Sequence, residues 1–110
     1  MRRPFLTIEW DDHNRPHVLR HGCTQNGVED VLRQRCHPAR VVEQQNVSSQ
    51  PRWRVQGRTC KPDEYYGLAI IPKPDRVARP IACWNLADQP EALRRYQAWL
   101  RAVEARGARR

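Results

Sequence analysis

The sequence predicts a small α+β domain: an antiparallel sheet with helices mainly on one face, in the order β-α-α-β-β-β-β-α. Three observations lead there. Several short segments alternate apolar and polar residues with a period of two, the mark of half-buried strands. Two capped helical patterns precede the middle strands, and an apolar stripe at helical spacing closes the chain. The length, 110 residues, suits one domain with a modest core. Residues 1–106 read as that domain and 107–110 as a frayed basic tail.

PFLTIEW, residues 4–10, reads as a first strand with Leu6, Ile8 and Trp10 on its apolar face. Asp11 or Asp12 then caps a short helix ending at Gly22, a residue suited to the left-handed turn after a helix. Thr24 offers a second cap. The helix behind it carries Val28, Val31 and Leu32 on one stripe and stops before His37-Pro38. Gly27 stands where a glutamate would have strengthened that start. Arg40 to Gln44 is a short strand, and NVSSQP is a loop or hairpin connection.

In residues 52–59, RWRVQGRT, Trp53, Val55, Gly57 and Thr59 share one face, with Arg52, Arg54, Gln56 and Arg58 on the other. YYGLAII, residues 65–71, is apolar enough for a central strand. PKPD turns the chain into residues 77–84, where Pro80 requires an edge or a bulge. Asp88 and Pro90 open the last helix, striped by Leu93, Tyr96, Trp99 or Leu100, and Val103.

No apolar run is long enough to cross a bilayer, and the N-terminus lacks the apolar stretch of a secretory signal, so a cytoplasmic protein without a membrane partner is expected. The net charge is +8, and Lys61 and Lys73 are the only lysines among twenty basic residues. Arginine presents a planar fork that suits phosphate and stacks on bases, so the charge points to a polyanion, nucleic acid or acidic protein. The plainer alternative is charge for solubility alone. Cys23, Cys36, Cys60 and Cys83 are scattered with no close pair, and in a cytoplasmic chain they are expected reduced and buried, without a disulfide framework.

His13, His17 and His21 recur every four residues, a spacing that puts side chains on one side of a helix. Zinc held by them would take a fourth ligand from Cys23, Cys36 or His37. Pro16 and the lack of paired cysteines count against this, so no metal and no cofactor is expected; a small zinc-binding regulator stays as an alternative. An open sheet face bearing Arg52, Arg54 and Arg58, with Lys61, Tyr65, Tyr66 and Trp84 nearby in sequence, suits RNA: guanidinium groups hold phosphates and rings stack on splayed bases. RNA cleavage through its own 2′-OH needs a base, an acid and cations for the developing phosphorane charge. His17, His21, Arg54, Arg58, Lys61, Tyr65 and Tyr66 offer such groups. His21, beside Gly22, equally suits a helix C-terminus.

Trp10-Asp11, His13-Asn14, His17 and Arg20-His21-Gly22, followed by Cys23-Thr24, resemble the opening block of the BrnT-type toxins, small bacterial toxins of the RelE-like ribonuclease superfamily. Gly57-Arg58-Thr59 is similar to the family's mid-chain strand, Ile81-Ala82-Cys83-Trp84 to a later strand, and Glu91 and Tyr96 to a pairing in the last helix. Trp84 stands where many members have arginine, and the gap from Glu91 to Tyr96 is one residue longer than usual. The resemblance implies a RelE-like fold, metal-independent cleavage of mRNA that stops translation, and a cognate antitoxin through which alone the protein meets DNA. Together with the arginine strand face, it points to a site in which His21, Arg54, Arg58 and Tyr66 carry the chemistry, with Arg52, Arg54, Arg58, Lys61, Tyr65 and Trp84 binding RNA. The alternative is a non-catalytic RNA- or protein-binding module on the same fold.

Overall fold

A computed structural model describes residues 3–108. The elements run β1 (Thr7–Ile8), α1 (Asn14–Leu19), α2 (Gln25–Leu32), β2 (Arg40–Val47), β3 (Gln50–Arg58), β4 (Tyr65–Lys73), β5 (Val77–Asn85) and α3 (Pro90–Ala108). The α+β class and the element order agree with expectation. The sheet is mixed rather than antiparallel: its order is β1-β5-β4-β3-β2, and β1 runs parallel to β5 through Thr7↔Val77 and Ile8↔Ala78. The chain opens at one edge, crosses through two helices to the far edge, and returns strand by strand until β5 lies beside its own start.

The first strand is shorter than its pattern suggested. The Phe5 N–H donates to the Leu32 carbonyl at the end of α2, not to a strand, so the alternation breaks there. Phe5 and Ile8 are buried as a result, and Leu6, expected inside, is 53% exposed.

Asp11 follows. Its carboxylate accepts from the His13 and Asn14 N–H groups at 2.9 Å each, while Asn14 Oδ1 accepts the Asp11 N–H at 2.8 Å. This reciprocal lock starts α1 and satisfies two of the donors that a helix start leaves without partners. Asn14 is buried and completes its bonding by donating to the Glu9 and Pro80 carbonyls. The Pro80 bond joins α1 to β5 beyond the reach of β1. Pro80 thus occupies an open edge, beside the register shift at Ala69/Ile70, so both of the settings foreseen for it apply.

Thr24 caps α2 by accepting from the Gly27 N–H at 3.0 Å. The β2–β3 connection is a two-residue turn at Ser48 and Ser49, both at positive φ. That geometry matches the twist of a hairpin and lets both strands extend beyond the expected bounds.

Val18, Val28, Val31 and Leu32 from α1 and α2 pack on Val55, Tyr66, Leu68 and Ile70 of the sheet. The third helix goes elsewhere. Tyr96 and Leu100 of α3 cluster with Tyr65 and Leu86, and Tyr65 points opposite to Tyr66, as adjacent strand residues must. The helices are therefore divided between the two faces, two on one and α3 over one end of the other. Leu100 rather than Trp99 is the deeply buried stripe residue. The last helix continues through Gly107 to Ala108, so the part of the expected tail that is described is helical; Arg109 and Arg110 lie outside the described residues.

The cysteines are paired, contrary to expectation: Cys23 with Cys83 and Cys36 with Cys60. Their sequence separations of 60 and 24 residues explain why spacing did not reveal them. The first joins the start of α2 to β5 inside the core; the second ties the end of α2 to the end of β3 at the surface.

An ion-pair buckle closes the N-terminal segment. Glu9 binds Lys73 Nζ at 2.8 Å and Arg79 at 3.0 Å, and Asp11 binds Arg79 at 2.7 Å. The Lys73 bond holds Glu9 below its ordinary 4.5, and the Arg79 bond holds Asp11 well below the usual carboxylate range. Carboxylates depressed in the folded state add stability that is complete above about pH 5 and is lost as pH falls through their folded values. Denaturant midpoints should fall from about pH 4 downward, and less steeply in Arg79→Ala; equal slopes in the two proteins would rule the buckle out as the source.

Candidate functional site: the arginine face of the sheet

The site is built on the face of β3 that α1 and α2 leave uncovered. The alternation of β3 brings Arg52, Arg54, Gln56 and Arg58 to this face, and the register sets Arg54 opposite Ala69, Gln56 opposite Gly67 and Arg58 opposite Tyr65. Gly67 is in turn opposite Trp84 on β5. A Cβ on Gly67 would lie 2.2 Å from Trp84 Nε1 and 2.3 Å from Cε2, so the indole lies across β4 against bare backbone, which any larger residue would deny it.

Two of the arginines meet rings. Arg54 Cζ stands 5.4 Å over the Trp84 ring centroid and Arg58 Cζ 5.5 Å over that of Tyr65, within the range of cation–π attraction. Arg54 also reaches Glu43 at 3.4 Å. This pair is exposed and contributes little to stability. Among the described residues, three buried side-chain polar atoms lack a hydrogen-bond partner: Gln56 Oε1, Arg58 Nε and Trp84 Nε1. All three belong to this face. Buried polar atoms are almost always paired, so three orphans gathered in one place mark it as unusual.

The far end of the face is closed by α3. Tyr96, fully buried, accepts from the Arg58 N–H at 3.1 Å and donates to the Pro38 carbonyl at 2.7 Å. Burial pushes its phenol up to about 12, so it stays protonated and able to donate. This relay, with the Cys36–Cys60 bond, pins the His37-Pro38 segment beside Arg58. His37 is half-buried; burial first, and then the Arg58 charge, holds its pKa below the ordinary 6.5, opposed by Glu104. Its imidazole is therefore neutral at pH 7, as a proton acceptor must be. Tyr96→Phe strands the Arg58 N–H and the Pro38 carbonyl together, and should cost about 2–4 kcal/mol of unfolding free energy in a denaturant titration. A loss under about 0.5 kcal/mol would mean that the relay is replaceable.

The expected site residues divide. Arg52, Arg54, Arg58, Tyr65 and Trp84 share the face, although Tyr65 is mostly covered by α3. Tyr66 is on the opposite face, 2% exposed, its hydroxyl accepting from the Thr24 N–H; it has no surface for a base to stack on. Lys61 lies in the turn after β3, lining a cleft of about 280 Å³ with Gln25, Asp30 and Glu64 at the start of α2. His21 follows α1, exposed, and its Nε2 accepts from Arg20 Nε at 3.1 Å, on a different element from the arginine strand. The three N-terminal histidines do not share a helix face, because α1 spans Asn14–Leu19 and excludes both His13 and His21. Cys23 and Cys36, considered as metal ligands, are in disulfides.

The sequence offered His37 only as a candidate zinc ligand, placed Gln56 on the arginine face without a role, and did not single out Gly67. Gln56 was legible, since it sits between two arginines on the same alternation. Gly67 acquires meaning only from the indole above it, and His37 only from the bonds that hold its neighbours.

No family model, no curated protein and no solved structure matches this chain.

Proposed function

We propose that this chain is a BrnT-like toxin, a metal-independent endoribonuclease that cuts mRNA and is restrained by a cognate antitoxin. One observation carries the reading: a strand face with three arginines at alternate positions, two of them over aromatic rings, left uncovered by the helices of the main core. A polyanion with flat bases is the ligand that both groups serve. The resemblance of the opening block supplies the reaction. Arg54 and Arg58 hold phosphate and oppose the charge that develops on it, and Arg52 extends the track. For proton transfer, His37 beside Arg58 is better supported than His21, which lies on another element.

The proposed substrate would place the protein in the cytoplasm, whereas its two disulfides are the pattern of oxidising compartments. No helix among the described residues is long and apolar enough to cross a membrane.

The test is induction of the chain alone in a bacterium, with growth followed and RNA ends mapped. Wild type should arrest growth and create new RNA ends. Arg54→Ala with Arg58→Ala should reduce cleavage at least 100-fold, the scale for removing groups that stabilise transition-state charge. Intact growth and intact RNA with wild type would sink the enzyme reading. The second reading, a binding module without catalysis, is favoured by the separation of His21 from the arginines; it predicts RNA binding that weakens steeply with salt and leaves the RNA whole.

A further inference from the structure

Trp84, Gly67, Gln56 and Arg58 form a group whose parts do not explain themselves as packing. The indole lies on β4 only because residue 67 has no side chain. Its outer neighbour is the guanidinium of Arg54, whose Cζ lies 5.4 Å from the ring centroid, within cation–π range. That guanidinium is on a half-exposed side chain tied only to an exposed carboxylate, so it is free to lift away or to close over something flat. On the same face are one orphaned acceptor, Gln56 Oε1, and two orphaned donors, Arg58 Nε and Trp84 Nε1, all three buried. Gln56 and Trp84 meet across Gly67, and Arg58 is the next residue along the same face of β3.

We propose that these residues form a subsite for one unstacked nucleobase of single-stranded RNA, sandwiched between the Trp84 indole and the Arg54 guanidinium and hydrogen-bonded along its edge by Gln56 and Arg58. The inference rests on the RNA reading above and narrows it to strands whose bases are free. A π-face on one side and a cation on the other fit a base of any identity. This orphaned acceptor and these donors fit the mixed donor and acceptor pattern that every base shows on its pairing edge, which in a duplex is occupied by the partner base. A-form duplex offers its phosphates and its shallow minor groove instead. Duplex RNA therefore reaches the arginines but not this subsite.

The experiment measures binding by the full-length protein of three probes: a fluorescent single-stranded oligoribonucleotide, the same strand annealed to its complement, and the same strand carrying abasic nucleotides. Wild type is compared with Trp84→Ala, with Trp84→Phe, which keeps a ring but lacks the indole N–H, and with Gln56→Ala; thermal melts establish that each is folded. Trp84→Ala should weaken single-strand binding roughly 5- to 150-fold, the range for loss of one stacked base. Duplex binding should be unchanged, and abasic substitution should cost wild type a similar factor but the variant nothing. Trp84→Phe and Gln56→Ala should fall between, so the subsite is tested even if the alanine variant at 84 does not fold. Equal losses on single strand and duplex, or no loss on either, overturn the subsite while leaving an RNA-binding face. Absence of salt-sensitive binding to any probe removes the RNA reading itself, and the subsite with it.

Discussion

Opening both disulfides should lower the unfolding free energy by about 3–4 kcal/mol for each bond, because cross-links separated by 24 and 60 residues remove that much chain entropy from the unfolded state. Against the roughly 5–15 kcal/mol that holds a typical domain together, the loss of both leaves a narrow margin. The two bonds should not open together. Cys36 and Cys60 are exposed, whereas Cys23 and Cys83 are 5% and 2% exposed within the core, and thiol exchange requires access to a sulfur. Mild reduction followed by alkylation should label Cys36 and Cys60 first, with Cys23 and Cys83 reacting only as the protein unfolds. Mass spectrometry of the labelled peptides reads the order, and urea titrations of oxidised, singly opened and fully reduced protein read the free energies. Simultaneous labelling of all four, or an unchanged midpoint on full reduction, would contradict the expectation. The consequence for activity is direct. The exposed bond is among the ties that hold His37 beside Arg58, so reducing conditions should loosen the proposed site before they threaten the core.

On the proposed ribonuclease reading, His37→Ala should reduce RNA cleavage by about 10²–10⁴-fold, the usual contribution of a positioned acid or base, while leaving RNA affinity within about 2-fold, since the arginines proposed to hold phosphate remain. His21→Ala should change neither by more than about 2-fold on the same argument. The pH profile separates a proton-transfer role from a structural one. An imidazole below its ordinary 6.5 in the free protein predicts an acidic limb lying below pH 6.5 and absent from the variant. Arg58 on β3 raises the cost of charging it, Glu104 on α3 opposes that effect, and Tyr96 nearby stays neutral across this range. Cleavage lost by His21→Ala and kept by His37→Ala would reverse the assignment. Loss of binding together with cleavage in His37→Ala would reduce His37 to a packing residue.

Much of the arginine face could be read in advance because its signal is local. Side chains alternate along a strand whatever the strand pairs with, so Arg52, Arg54 and Arg58 had to share a side once β3 formed. Caps are equally local: Thr24 and Asp11 act on donors two or three residues away. The tyrosine pair shows where such reading stops. Alternation guarantees that Tyr65 and Tyr66 part company, but only the hairpin register, Arg58↔Tyr65 and Gly57↔Tyr66, decides which joins the arginines. The helical spacing of the histidines misled for a related reason. Periodicity describes directions within one helix, and α1 is only six residues long.

By itself, then, the sequence determined the α+β class, the order of its elements, the cationic strand face and the net positive charge, all consequences of short-range backbone geometry and composition. The tertiary structure alone decided the parallel pairing of β1 with β5, the cysteine partners, the crossing of α3 to the arginine side, and the company of Trp84 with Gly67 and of His37 with Arg58. Each of those joins residues far apart in the chain. Such contacts are chosen by the joint packing of the whole domain and leave no periodic trace in either partner's neighbourhood.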